Sequence, residues 1–157
     1  MTRRANVHKE NGTVEKMAQE AIEEARMVLP GIQALFGFQL IAAFNERFRQ
    51  LADGEQLLHY AALVLVAIAI ALIMTPAAYH RLVEQNSVSS FFIRLASRLI
   101  AAAMIPLMMA IAFEVFIIGN LVLSSPMASS LLLQFSFLLF AALWFGFPLA
   151  MKRRQED

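Results

Sequence analysis

Residues 57–79 read LLHYAALVLVAIAIALIMTPAAY. This stretch carries no Asp, Glu, Lys or Arg. Its apolar character runs all round a helix, whereas a surface helix would keep a polar face. A hydrocarbon core of about 30 Å takes roughly 20 helical residues to cross, so the stretch is long enough to span. Lipid offers no partner for backbone polar groups, and a helix satisfies them internally.

Three further runs share this character: 28–44 (VLPGIQALFGFQLIAAF), about 99–123, and about 129–151 (SSLLLQFSFLLFAALWFGFPLAM). The sequence therefore predicts an all-α, polytopic transmembrane bundle of four helices. The expected organisation is a cytoplasmic segment at 1–27, a membrane domain at 28–151 and a cytoplasmic tail at 152–157. Apolar residues make up 59% of the 157 and charged residues 16%, against roughly 45–50% and 25% in soluble chains. Phe occurs 13 times and Tyr twice, a balance that suits a lipid-facing surface.

Charge placement predicts orientation. Lys and Arg number five before the first run (Arg3, Arg4, Lys9, Lys16, Arg26) and two in 45–56 (Arg47, Arg49). Residues 80–98 hold three (Arg81, Arg94, Arg98), 124–128 none, and the tail three (Lys152, Arg153, Arg154). Alternating these flanks puts eleven on one side and two on the other, so both ends are expected in the cytoplasm. The polar start shows no secretory leader, and the first span is expected to be retained.

Residues 14–29 align Val14, Ala18, Ala21, Ala25 and Val28 on one stripe. This predicts an N-terminal amphipathic cytoplasmic helix, lying on headgroups, that leads to a kink at Pro30. Ser89 or Ser90 is positioned to cap the helix that becomes the third span. His80, Arg81, Arg94 and Arg98 form a basic rim for anionic lipid headgroups.

Within the spans, Glu114 is the single acid. Counting about 1.5 Å per residue from each span's centre puts Glu114 and Gln39 at roughly the same depth, 4–5 Å to the outer side. Gln134 lies somewhat further out, and His59 with Asn120 would form a shallower layer. Glu114 is expected to face the interior, protonated or paired, with Gln39 or Gln134 as its partner. Ala67 and Ala71, one turn apart, would allow close helix approach.

The composition excludes several chemistries. Without cysteine there are no disulfides or thiolate sites. No His cluster at metal spacing, phosphate-binding Gly-rich loop or Ser-His-Asp set is present, so neither enzyme activity nor a metal or cofactor is expected. The net charge of +1 carries no signal for nucleic acid, which is not an expected partner.

The stretches GIQALFGFQLIAAFNERF and TPAAYHRLVEQNSVSSFFIRLASRL carry a further signal. Gly31, Gln33, Leu35, Phe36 and Phe38, then Phe44, Arg47 and Phe48, then Pro76, His80 and Arg81, then Arg94 and Arg98 resemble motifs of a family of uncharacterised bacterial four-span membrane proteins. The resemblance covers roughly residues 25–125. It implies a bacterial plasma-membrane protein of unassigned function, and it suggests that Gln33, His80, Arg81 and Arg94 meet in a cytoplasmic-side network. The leading expectation is a structural or accessory component that self-associates or binds a membrane partner. The alternative is a small proton-coupled transporter or channel using Glu114 in an oligomer.

Overall fold

A computed structural model describes residues 2–84 and 89–156, with side chains from Lys16 onward except Ala18, Ala21 and Glu156. Among the described residues it is all helical. Helix α1 runs Thr2–Ala43, α2 Asp53–Val83, α3 Ser90–Leu123 and α4 Pro126–Ala141. A π-helical segment, Ala142–Gly146, joins α4 to α5 at Phe147–Glu156. A short 3₁₀ helix, Glu46–Gln50, lies between α1 and α2. Four segments are long and apolar enough to cross a membrane: Ile22–Ala43, Asp53–Val83, Ser90–Leu123 and Pro126–Gln155.

The helices extend beyond the apolar runs. Polar flanks at both ends of α2 and at the start of α3 remain helical, because nothing in them breaks the backbone ladder. α1 likewise continues through Pro30 without a break. The side chains of Val14, Ala18 and Ala21, which would define the N-terminal stripe, lie outside the described residues.

The core is built on heptad-like seams. On α2 the buried residues are His59, Ala62, Val66, Ala69, Ile73 and Pro76, an alternating 3–4 spacing that keeps one face on a neighbouring helix. On α3, Ala103, Leu107, Ala110 and Ile117 are buried at the same spacing, and Glu114 occupies the position between the last two. Ile32 of α1 joins this cluster with Leu35 and Phe36 beside it. Ala67 and Ala71, expected at a close approach, are exposed. The closely packed small residues are instead Ala62 and Ala69, both fully buried.

α4 approaches α3 at Gly119. A Cβ there would stand 3.1 Å from Ser129 Oγ and 3.4 Å from Leu132 Cδ1. The turn between them is tight. Ser124 takes a left-handed conformation at φ 49° and its N–H bonds the Asn120 carbonyl. Ser125 then caps α4 by accepting from the Ala128 N–H, with Pro126 at the start of the helix. The π-helical segment ends two residues before Pro148. Proline has no N–H for the carbonyl four residues back and its ring crowds that carbonyl, so a wider turn at this point accommodates it. The Phe147 N–H bonds the Ala142 carbonyl there.

Candidate functional site: a polar clamp across three helices

α1, α2 and α3 each contribute one polar side chain to a cluster near the α1–α2 connection. Gln39 continues the inward stripe of α1 set by Ile32, Leu35 and Phe36, seven residues from Ile32. His59 is the first member of the α2 seam, and Glu114 lies on the α3 seam. Gln39 is 3% exposed and His59 4%. The Glu114 side chain is 16% exposed.

Three contacts close the cluster. Gln39 Nε2 donates to Glu114 Oε1 at 3.0 Å. His59 Nδ1 stands 2.9 Å from the same Oε1. His59 Nε2 stands 3.0 Å from the backbone carbonyl of Gln39. A carbonyl oxygen only accepts, so Nε2 carries a hydrogen in that contact. One proton is then shared between Nδ1 and the Glu114 carboxyl. It sits either on the ring, giving imidazolium with carboxylate, or on the acid, giving two neutral groups. Both arrangements have zero net charge, and the cluster avoids burying an isolated ion. Phe48, from the 3₁₀ helix, covers His59 edge-on with ring centroids 5.1 Å apart.

A second pair lies nearer the loop. Asn120 Nδ2 donates to Glu55 Oε1 at 2.8 Å. The other oxygen of Glu55 accepts from the Ala52 N–H at 3.1 Å, which caps the start of α2. Ala52 has no side-chain acceptor to reciprocate, so the cap is carried by Glu55 alone. Gln39 Oε1 and Asn120 Oδ1 are buried without a hydrogen-bond partner among the described residues.

The structure unites Glu114 with Gln39 and leaves Gln134 apart. Gln134 lies on an exposed face of α4. His59, which sequence reading set in a shallower layer, meets the acid as well. Depth counted from the centres of the apolar runs sets Glu114 too near the middle of α3, because that helix starts at Ser90, well before its apolar run at about 99. The available signal was the 3–4 spacing that links His59 to Ala62, Val66, Ala69 and Ile73.

At the opposite end of the bundle, His80 and Arg81 line one groove together with Arg26. Gln33, Arg94 and Arg98 are exposed and do not line it. Gln33 sits one residue off the Ile32 stripe, about 100° round α1, and so turns away from the core. The α2–α3 break is held by Glu84, whose carboxylate accepts from the Ser89 hydroxyl and, at 2.9 Å, from the Ser89 N–H. These two bonds hold Glu84 below the ordinary glutamate range, the hydroxyl contributing most. Ser89 also caps α3, accepting from the Phe92 N–H at 3.1 Å.

Among the described residues no group of three or more His, Cys, Asp or Glu is arranged to hold a metal ion. Residues 8–148 match the model of DUF6328, described as a family of unknown function. No curated protein and no solved structure matches the chain.

Proposed function

Because the chain belongs to DUF6328, a family of unknown function whose model covers most of its length, we propose a role that rests on its architecture and not on a reaction. It is an integral protein of a bacterial plasma membrane, with both termini in the cytoplasm. Its role is structural or accessory, without enzymatic turnover, and it is exercised through association with a membrane partner or a second copy. The distribution of Lys and Arg between alternate flanks supports the orientation.

One observation carries the structural reading. The His59–Glu114–Gln39 cluster is confined to one end of the bundle. Residues 60–74 of α2 and 99–113 of α3 include no charged or amide side chain. That stretch spans roughly 20 Å of helix, and its core is Ala62, Val66, Ala69, Ile73, Ala103, Leu107 and Ala110. On α2 and α3 these stretches offer no charged or amide side chain to carry a proton from Glu114 toward the other end. The cluster serves to fasten α1 to the α2–α3 pair.

A second reading is favoured by the same pair. His59 Nδ1 stands 2.9 Å from Glu114, and a proton-coupled transporter or channel would use two such groups side by side. In that case an oligomer would have to supply the rest of the path.

Three measurements test these readings. Carbonate washing should leave the protein in membranes, and terminal tags should resist protease in intact cells. Proteoliposomes should show no pH-driven proton flux above empty vesicles. A flux that is lost in Glu114→Gln would replace the accessory reading with the transporter.

A further inference from the structure

α4 is held to the rest of the bundle by one face. Ser129, Leu133, Ser136, Phe140 and the following Trp144 are buried or half-buried at helical spacing, and Trp144 packs on the central core. The other side carries Met127, Leu131, Gln134 and Leu138 at i, i+4, i+7 and i+11. Met127 is 77% exposed, Leu131 58% and Leu138 65%, and Gln134 is exposed with them.

Lipid is a sufficient neighbour for three of these residues. For Gln134 it is not. Gln134 lies about 13 Å from Ser125 at the α3–α4 turn, close to the middle of a hydrocarbon core of about 30 Å. Residues 126–151 hold no charge, and Lys152 is about 27 Å away in the other direction. The Gln134 carboxamide has two donor hydrogens and an acceptor oxygen, and it makes no hydrogen bond among the described residues. Acyl chains offer it none, and an unpaired amide in hydrocarbon costs free energy.

We propose that this face of α4 is a dimer interface with a second copy of the chain, in which the two Gln134 carboxamides bond each other across a twofold axis normal to the membrane. The occupant follows from the geometry. One distribution of Lys and Arg gives every copy the same orientation, so two α4 helices meet in parallel and present Gln134 at one depth. Each carboxamide can give the other an N–H and accept one in return, as an isologous contact requires. A different membrane protein would have to carry a donor and an acceptor of its own at that depth. Met127, Leu131 and Leu138 follow the 3.5-residue average of a two-helix seam, and one polar residue in such a seam fixes register and copy number. Gln33 of α1 is also exposed, but Arg26 lies on its stripe, and a second copy docked there would bring like charges together. The inference rests on the reading that the protein works through association, and it names the surface and the partner.

The test uses the full chain in vesicles of phosphatidylcholine and phosphatidylglycerol at graded protein-to-lipid ratios, with donor and acceptor dyes on separate copies. Energy transfer should rise along a monomer–dimer curve. Q134L should move its midpoint to about five- to tenfold higher density, the factor for two hydrogen bonds between membrane helices. Q134N, which keeps the carboxamide, should retain most of the affinity, and Q33L all of it. The chain has no cysteine, so oxidation reports engineered ones alone. L138C should cross-link two copies, and L139C, at the same depth on another side of α4, should not. Transfer no greater than random mixing, a curve that fits three or more copies, or an unmoved midpoint in Q134L would each overturn the proposal. An equal shift in Q33L, or equal cross-linking in L139C, would do the same. The accessory reading fails on a separate result, a proton flux lost in Glu114→Gln, so failure of one is distinguishable from failure of the other.

Discussion

Glu114 and His59 are brought within 2.9 Å of each other from two different helices, and the backbone contact on the far side of the imidazole leaves a single proton between them. The acid therefore has a partner, and that partner is held in turn by the first helix. Removing any member strands the groups that the others present.

This arrangement ranks substitutions at Glu114. Both contacts fall on one oxygen of Glu114. A Gln places either its oxygen or its amide nitrogen there and so serves Gln39 or His59 but not both, and E114Q should cost about 1 kcal/mol. E114L strands both partners and should cost about 2–4 kcal/mol. In a cycle with H59L, the double variant should lose less than the sum of the singles by about 1–3 kcal/mol. Unfolding in mixed micelles measures all of these, and additive losses would count against the contact.

Glu55 performs two tasks at once, capping α2 and binding Asn120. E55A should therefore cost about 1–2 kcal/mol, more than N120A, which loses only the interhelical bond of about 0.6 kcal/mol. Equal losses in the two variants would show that the cap contributes nothing.

Two glycines should respond in opposite directions. A methyl group on Gly119 meets Ser129 at 3.1 Å and forces α3 and α4 apart, so G119A should destabilise by about 1–3 kcal/mol. Gly37 has nothing within 4 Å of its Cβ position, so G37A should be neutral or stabilise by up to about 1 kcal/mol through helix propensity. Unfolding of both variants under the same conditions checks the contrast.

The hold of Ser89 on Glu84 makes stability sensitive to acid. A carboxylate whose folded-state value is lowered stabilises the fold above its unfolded value and loses that contribution as pH falls through the folded one. With the ordinary glutamate value at 4.5, the loss should begin below about pH 4.5 and deepen as the medium becomes more acidic. E84Q should flatten this part of the stability profile. S89A should do so too and, by removing the α3 cap, should cost about 1 kcal/mol at neutral pH as well. An unchanged acid limb in E84Q would show that the contact does not persist in solution.

The number of spans, their helical nature and the shared layer of Glu114 and Gln39 were legible in the chain itself, because lipid imposes one length and one hydrogen-bonding solution on every crossing. Which face of each helix turned inward was not. α2 has Ala at 61, 62, 67, 69, 71, 77 and 78, so small residues occur on several sides, and the composition of the span does not choose among them. Packing against α3 selected Ala62 and Ala69 over Ala67 and Ala71, and that choice carried His59 inward with them. The pairing of α2 with α3 then set His59 level with Glu114. Residue counting does not fix that level, since a helix slid along its axis in a uniform apolar medium keeps the same burial by lipid until side chains of a neighbour interlock with it.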